Sequence, residues 1–294
     1  MDSQRELQLR REIMQHLTDA TTEKGTLTRE QLLSFPVADS VWKLLDHSRG
    51  IRNPRELAAT LTVMSSPTGP YRDEDLQGGL LKYEYRAGSV NGDNTKLRRA
   101  YELGMPLILL KKIEPSVYVP IHPVYVVADV QDARYFLLAL DEGIRLLSDP
   151  LNPSEDERRY VERITRERLH QPEFRGRVLR AYETRCAVCV LRHGRLLDAA
   201  HIVADHEVTG TPITANGLAL CKLHHAAYDS DLLGISPDYQ VHINSALLEE
   251  TDGPMLRHGL QEMDGRELHV PHRASEKPDR DRLGYRFQKF LASA

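Results

Sequence analysis

The sequence has few cysteines, no signal-peptide pattern and no apolar run long enough to cross a membrane. Its three cysteines, at positions 186, 189 and 221, are too few and odd in number for a disulfide framework. The N-terminus, "MDSQRELQLRREIMQHL", is charged throughout and lacks the apolar core of a signal peptide. No apolar run approaches the roughly 20 residues that span a bilayer. We therefore expect a cytoplasmic protein that has no membrane partner.

The composition is that of a soluble globular protein, with 40% hydrophobic and 28% charged residues in a chain of 294. The net charge of −4 does not indicate a nucleic-acid binder, but the local charge is informative. Between Arg158 and Arg185 there are nine arginines against four glutamates. Such a stripe can bind phosphates through the bidentate guanidinium groups. The alternative is a solvated helix whose glutamates and arginines pair at i,i+4 spacing.

The front half begins with helical patterns and then becomes mostly β. Residues 3–20 and 28–46 predict helices. From about residue 50, runs rich in β-branched and aromatic residues are separated by Gly, Pro, Asn and Asp, which predicts strands. One helix interrupts them, with Asp93 or Asn94 as its N-cap and Gly104 at its end.

The second half begins after a stretch typical of a linker, "SDPLNPSEDE" at 148–157. Arg-rich helices follow, and then a compact unit that contains all three cysteines and ends in the helical pattern "RDRLGYRFQKFLAS". We predict an α+β chain with three parts: a domain at 1–150 whose residues 1–48 are helical, an Arg-rich helical linker at 151–172, and a domain at 173–294.

Two short-spaced pairs in the second half predict a metal site. Cys186 and Cys189 are separated by two residues, as are Cys221 and His224. Zinc prefers four sulfur or nitrogen ligands in a tetrahedron, and such pairs on two turns supply them. The site would be closed and structural. The alternative is three buried thiols and a surface histidine.

Taking His224 for zinc leaves a second set of polar residues, His201, Asn216, His225 and Asp229. His201 lies in the apolar stretch "LLDAAHIVAD", where a lone histidine is usually a core residue. His225 and Asp229 are four residues apart on a predicted helix and share one of its faces. The pattern predicts a strand with a histidine, a loop with an asparagine, and a helix with a histidine and an acid.

These residues resemble those of the HNH, or ββα-metal, endonucleases. The segments "DAAHI", "NGLALC" and "HHAAYD" are most similar to the subgroup found in bacterial restriction-type proteins, over roughly residues 173–240. The resemblance implies that His201 is a general base and that Asn216 holds the loop and orients His201. It also implies that His225 and Asp229 hold one divalent ion, which could be Mg²⁺, Mn²⁺, Ni²⁺ or Zn²⁺.

One position departs from the family pattern. The family has Asp or His immediately before the base as a further metal ligand, and this chain has Ala200 there. Asp198 lies two residues earlier, on the strand face that Ala200 shares and His201 does not. Asp198 either reaches the metal or only orients a neighbouring residue.

The stretch "SPTGPYRDEDLQGGLLKYEYRAGSVNGDN" in the front half resembles the SRA domain, which binds DNA carrying modified cytosine. The resemblance implies an SRA/PUA-like fold in which a flipped base stacks on tyrosines and donates its amino group to a carboxylate. The alternative is that Tyr83 and Tyr85 are ordinary strand residues, with one of them in the core. The candidate residues of the pocket are Tyr71, Asp73, Glu74, Tyr83, Asp93 and Asn94.

Together the two resemblances imply a modification-dependent restriction endonuclease that binds modified double-stranded DNA through its front half. A chain with a single active site cuts one strand, so we expect a homodimer that cuts both strands of the duplex. One alternative is an HNH nickase that reads another DNA mark. The other is a non-cleaving, zinc-stabilised DNA-binding regulator.

Overall fold

The chain divides into two compact units. Unit 1 comprises Met1–Thr21 and Thr26–Glu173, and unit 2 comprises Thr22–Gly25 and Phe174–Ala294. Residues 151–172, predicted as a linker, lie within unit 1. The computed structural model describes residues 2–46, 50–66, 74–76, 80–85, 91–147, 149, 152–205, 207 and 209–293, with only the backbone of 74–76.

Unit 1 is built around one mixed sheet, and its helices lie before, within and after the strands. The strands of unit 1 are β1 Leu27–Thr28, β2 Phe35–Val37, β3 Ser40–Trp42, β4 Ile51–Arg52, β5 Thr62–Ser65, β6 Glu74–Leu76, β7 Leu80–Glu84, β8 Leu107–Glu114, β9 Val117–Val130 and β10 Tyr135–Ala139. Eight of them join in one sheet in the order β4-β5-β8-β9-β10-β7-β6, with β1 paired to β9. All pairs in this sheet are antiparallel except β5 with β8. The helices are α1 Ser3–Thr21, α2 Arg29–Leu33, α3 Asp93–Leu103, α4 Glu142–Arg145 and α5 Glu155–Thr165, followed by a π-helical turn at Arg166–His170.

The apolar run "LILL" in β8 shows why unit 1 has a core on each side of this sheet. Side chains alternate between the two faces of a strand. Leu107 and Leu109 accordingly lie in one buried cluster, and Ile108 and Leu110 lie in another. A run without polar alternation thus marks a strand that is covered on both faces.

The prediction of a helix across 28–46 is wrong. The capping box of Thr28 and Gln31 is present, but it starts only the five-residue helix α2. The hairpin of β2 and β3 follows, with Ala38 at a φ of 47° in its turn. Pro36 explains the break, because proline lacks an N–H and forces the preceding residue toward extended backbone.

The helix predicted near residue 93 is confirmed as α3, and Gly104 ends it in a left-handed conformation. The cap prediction is wrong, because Gly92 occupies the N-cap position. Asp93 is instead the acidic residue of the first turn, and Asn94 is buried.

Unit 2 contains a β-hairpin followed directly by a helix, together with smaller elements around one core. Its elements are α6 Gln171–Ala181, β11 Leu197–His201, β12 Gly217–Cys221, α7 Lys222–Asp229, β13 Leu233–Ile235, β14 Val241–Ile243, α8 Ser245–Glu249, α9 Pro254–Gly259 and α10 Arg280–Ser293. The predicted closing helix is confirmed as α10. The α+β class is therefore confirmed for the chain.

Gly217 sets how closely α6 packs on this hairpin. It is the register partner of His201 across β11 and β12. A Cβ atom at this position would lie 2.4 Å from Val178 Cγ2 and 3.0 Å from Phe174 Cζ. A side chain here would therefore push α6 away from the strand that carries His201.

Among the described residues, no helix is both long and apolar enough to cross a membrane.

Candidate active site

The four predicted zinc ligands come together in unit 2. Cys186 and Cys189 lie on the turn after α6, Cys221 is the N-cap of α7, and His224 lies in the first turn of that helix. Their ligand atoms are all within 4.8 Å of one another. His224 Nδ1 lies 3.1 Å from Cys221 Sγ and 3.4 Å from Cys186 Sγ.

The chemistry of this cluster fits a zinc ion. His224 Nε2 lies 2.8 Å from the carbonyl oxygen of Gly259, so this nitrogen donates its proton there. That bond leaves Nδ1 unprotonated toward the sulfur atoms, as in a metal-binding histidine whose other ring nitrogen donates to a backbone carbonyl. Three thiols and one imidazole are a ligand set typical of structural zinc. The cluster could therefore hold a metal ion.

His201 ends strand β11 with its ring against an aromatic residue. The imidazole stacks on the Phe174 ring at 4.0 Å between centroids and an interplanar angle of 14°. Its Nε2 is shielded from solvent and has no hydrogen-bond partner among the described residues. Burial lowers the pKa of His201, and nearby His225 lowers it further while Asp205 raises it. The ring is therefore neutral at pH 7.

Asn216 closes the loop that follows His201. Its side chain is fully buried and pairs with Val203 in both directions, accepting from the amide and donating to the carbonyl at 2.9 Å each. It also donates to the carbonyl of Thr211 at 3.1 Å. None of these hydrogen bonds goes to the imidazole. Asn216 thus holds the backbone that follows His201, and Phe174 contacts the His201 ring.

His225 on α7 lies between two carboxylates. Its Nδ1 is 3.3 Å from Asp198 Oδ2, and its Nε2 is 3.3 Å from Asp229 Oδ2. Lys222 Nζ lies 2.6 Å from both carboxylate oxygens of Asp198. Burial acts to raise the pKa of Asp198, but Lys222 and His225 outweigh it and lower the pKa. Asp198 is therefore an anion that faces the helix.

Ala200 cannot serve as a ligand, and its place is apolar. It is 1% exposed and belongs to the same buried cluster as Leu197 and Leu218. Asp198, two residues earlier on β11, is the carboxylate that reaches His225. The structure thus brings Asp198, His225 and Asp229 together, and it leaves position 200 in the core.

The sequence patterns did not point to Phe174 and Lys222. Phe174 lies more than 20 residues before the segment "DAAHI", and no spacing rule connects it to His201. Lys222 carried a usable signal. It lies three residues before His225 on α7, and residues at i and i+3 share a helix face.

The candidate pocket residues of unit 1 are not brought into one exposed site by the described part of the structure. Tyr71 and Asp73 lie outside the described residues, and only the backbone of Glu74 is described. Tyr83 is 4% exposed within a core cluster, and its hydroxyl donates to the carbonyl of Gly50 at 3.2 Å. The expectation that Tyr83 stacks on a flipped base therefore needs correction, because protein covers its ring. The backbone carbonyl of Asp93 accepts a hydrogen bond from the side-chain amide of Asn53, and Asn94 is buried within unit 1.

Several arginines of the predicted stripe have structural partners. Arg175 donates to three backbone carbonyls within unit 2, those of Thr22, Gly194 and Leu197, at 3.1–3.2 Å. Arg168 pairs with Asp141 at 2.8 Å within unit 1. Arg159 and Glu155 form the i,i+4 pair of a solvated helix. Of these three residues, Arg159 shows the i,i+4 pairing of the solvated-helix alternative, and Arg168 and Arg175 have partners elsewhere in their own units.

Comparison with known proteins identifies the ββα region. Residues 186–236 match the family model described as HNH endonuclease. A comparison with curated proteins finds no match. A solved structure, "Modification dependent TagI restriction endonuclease", is similar with a TM-score of 0.29 and 17% identity, over 89% of this chain and 90% of that chain. This TM-score is too low to establish a shared fold. The matched region lies within unit 2 and includes His201, Asn216, His225 and Asp229, and the match supports a nuclease enzyme.

Proposed function

We propose that this nuclease is a metal-dependent endonuclease that hydrolyses phosphodiester bonds of double-stranded DNA, with His201 as its general base. One observation carries the proposal. A neutral imidazole, stacked on Phe174 and with its Nε2 shielded from solvent, lies in the same ββα motif as the Asp198–His225–Asp229 set. A nuclease needs such a base to take a proton from the attacking water.

We assign the role of base to Nδ1, so the neutral ring would carry its proton on Nε2, the nitrogen that is shielded from solvent. Phe174 fixes the plane of the ring, and Asn216 fixes the loop that begins one residue beyond it. A water molecule that approaches Nδ1 would then lose its proton as it attacks phosphorus.

Two metal sites with different roles support this function. Cys186, Cys189, Cys221 and His224 would hold a structural zinc ion. His225, with a neighbouring carboxylate, would hold one divalent cation, and imidazole plus carboxylate suits Mg²⁺, Mn²⁺, Ni²⁺ or Zn²⁺. When bound, that cation supplies electrostatic stabilisation of the charge on the scissile phosphate and the leaving oxygen.

The test of nuclease function is cleavage by the full chain, with each of the four metals, of supercoiled plasmid that is unmodified or carries 5-methylcytosine or 5-hydroxymethylcytosine. We expect cleavage that falls by about 10²–10⁴-fold in His201→Ala, the usual contribution of a general base. His258→Ala is the matched control in unit 2, since His258 is an exposed histidine that pairs with Glu262. If the wild-type protein leaves all three plasmids intact with every metal, the non-cleaving regulator becomes the better description.

We also propose that cleavage depends on a modified cytosine that unit 1 recognises. The support is the SRA resemblance around Tyr71, Asp73 and Glu74. The experiment uses the full-length His201→Ala protein and matched duplexes that contain cytosine, 5-methylcytosine or 5-hydroxymethylcytosine. We expect tighter binding to a modified duplex, and equal affinity for all three would overturn this proposal without affecting nuclease function.

Cleavage of both strands is proposed to require a homodimer, because each chain has one ββα motif. The plasmid product distinguishes the alternatives, since a nickase gives open circles and a dimeric enzyme gives linear DNA. Sedimentation of the protein with a cleavable duplex gives the oligomeric state. Open circles as the end product, with a monomer on DNA, would favour the nickase.

A further inference from the structure

The two carboxylates beside His225 face different nitrogens of its ring. Asp198 lies at Nδ1 and Asp229 lies at Nε2, both at 3.3 Å. The lone-pair directions of the two ring nitrogens diverge, and a metal ion binds one nitrogen while the other donates a hydrogen bond. Asp198 and Asp229 therefore cannot both share one ion with His225. One carboxylate is a ligand, and the other is the acceptor that orients the ring.

Position and burial favour Asp198 as the ligand. Its side chain is 28% exposed, against 64% for Asp229. Asp198 lies on β11, three residues before His201, in register with Leu220 of the neighbouring strand. Asp229 is the last residue of α7. A site on paired strands is held more precisely than one at a helix end.

Lys222 competes for the same carboxylate. Its ammonium lies 2.6 Å from both oxygens of Asp198, which are the oxygens that a cation on the Nδ1 side would use. The lysine side chain is 59% exposed, so the pair is weak and the side chain can move into solvent. A divalent cation and an ammonium cannot both occupy one carboxylate without mutual repulsion.

We propose that Lys222 holds Asp198 until DNA draws the ammonium to a backbone phosphate, so that DNA binding and catalytic-cation binding at Asp198 and His225 Nδ1 assist each other. The inference rests on the proposed function and adds a regulation of its metal site. The coupling is reciprocal: DNA raises the affinity for the cation, and the cation raises the affinity for DNA. The strength of the exposed Lys222–Asp198 ion pair limits the size of this coupling, which corresponds to a change of up to about fivefold in cation affinity.

The experiment measures Mn²⁺ binding by electron paramagnetic resonance, using full-length, zinc-loaded His201→Ala protein to prevent cleavage. Binding is measured with and without a duplex. In the starting protein we expect the duplex to tighten Mn²⁺ binding by up to about fivefold. Adding Lys222→Met should tighten binding by a similar factor without DNA and abolish the effect of the duplex. Lys289→Met is the matched control, because Lys289 is an exposed lysine of unit 2 paired with Glu207.

Two further variants test the choice of ligand. Asp198→Asn should weaken Mn²⁺ binding by more than tenfold, and Asp229→Asn should weaken it less, as expected for an outer hydrogen-bond partner. The inference is overturned if Lys222→Met leaves Mn²⁺ affinity unchanged or lowers it, or if Asp229→Asn causes the larger loss. Absence of any Mn²⁺ binding by the starting protein would instead contradict the metal-dependent function itself.

Discussion

At the scale of single residues, the account depends on the surroundings of His201. A general base works only in its neutral form, so activity is lost as pH falls through the pKa of the base. Burial lowers the pKa of His201 below the ordinary histidine value of about 6.5. The neutral form therefore persists into mildly acidic solution, where a solvent-exposed histidine would already be protonated.

The corresponding prediction concerns the acidic side of the pH–rate profile. Single-turnover cleavage should fall off with a midpoint below pH 6.5 in the wild-type protein. Phe174→Leu should slow cleavage and move the midpoint upward, because the smaller side chain admits water to the imidazole. Phe287→Leu provides a control, since Phe287 lies against another histidine of unit 2, His242, at 5.0 Å between centroids. A wild-type midpoint above 6.5, or no change in Phe174→Leu, would contradict this role of the stack.

At the scale of elements, helix α7 contributes residues to both proposed metal sites. Its eight residues include His224 of the cysteine–histidine cluster, and Lys222, His225 and Asp229 beside Asp198. An eight-residue helix has little stability of its own, so it depends on packing and on the cluster at its start. Loss of zinc should therefore disorganise the proposed catalytic residues as well as the cluster.

This dependence is measurable by removing the metal. We expect the purified chain to contain stoichiometric zinc, and its removal by a strong chelator to lower the melting temperature of unit 2 and abolish cleavage even in excess Mn²⁺. Re-addition of Zn²⁺ should restore both. Calorimetry and metal analysis make the measurement, with Cys189→Ser as a second way to weaken the site. A zinc-free protein that melts and cleaves like the loaded one would rule out the structural role.

Helix α1 of unit 1 is fixed by a buried ion pair. Glu6 and Arg10 are both fully buried and lie 2.7 Å apart. Arg10 also donates to the carbonyls of Ala59, Thr60 and Pro106 at 2.7–2.9 Å, and Glu6 accepts from the amide of Ala58. The pair thus ties α1 to two loops of the sheet.

Breaking this pair should destabilise unit 1 strongly. Arg10→Met leaves a buried carboxylate without its cation and should cost about 3–5 kcal/mol in the free energy of unfolding. The double change Glu6→Leu with Arg10→Met should cost less than Arg10→Met alone, because no unpaired charge remains. Denaturant unfolding checks both values. Equal or greater destabilisation in the double variant would show that the backbone hydrogen bonds of Arg10 dominate.

The elements that sequence could predict are those with local signals. The ββα order follows from the spacing of His201, Asn216 and His225, and the end of α3 follows from Gly104. The helix expected over 28–46 failed because an apolar pattern compatible with a helix was interrupted by Pro36. The stacking partner of His201 could not be found this way, since Phe174 reaches the ring through tertiary packing that no short motif encodes.

At the scale of the whole molecule, two units divide the proposed work between recognition and cleavage. The arginine-rich stretch illustrates the limit of composition at this scale. Its charge left a phosphate-binding surface and a solvated helix open, and Arg159, Arg168 and Arg175 have carboxylate or carbonyl partners within their own units. A charged residue's role depends on its partners in the fold, which composition does not contain.

His201 is proposed as the general base of DNA hydrolysis, and chemical rescue of a variant without its imidazole is the sharpest test of that role. The measurement is single-turnover cleavage of a duplex by His201→Gly, with and without added imidazole. We expect a loss of about 10²–10⁴-fold that imidazole partly restores, with a rescue that increases with pH as the neutral form of imidazole accumulates. Cleavage by His201→Gly at the wild-type rate, without imidazole, would contradict it.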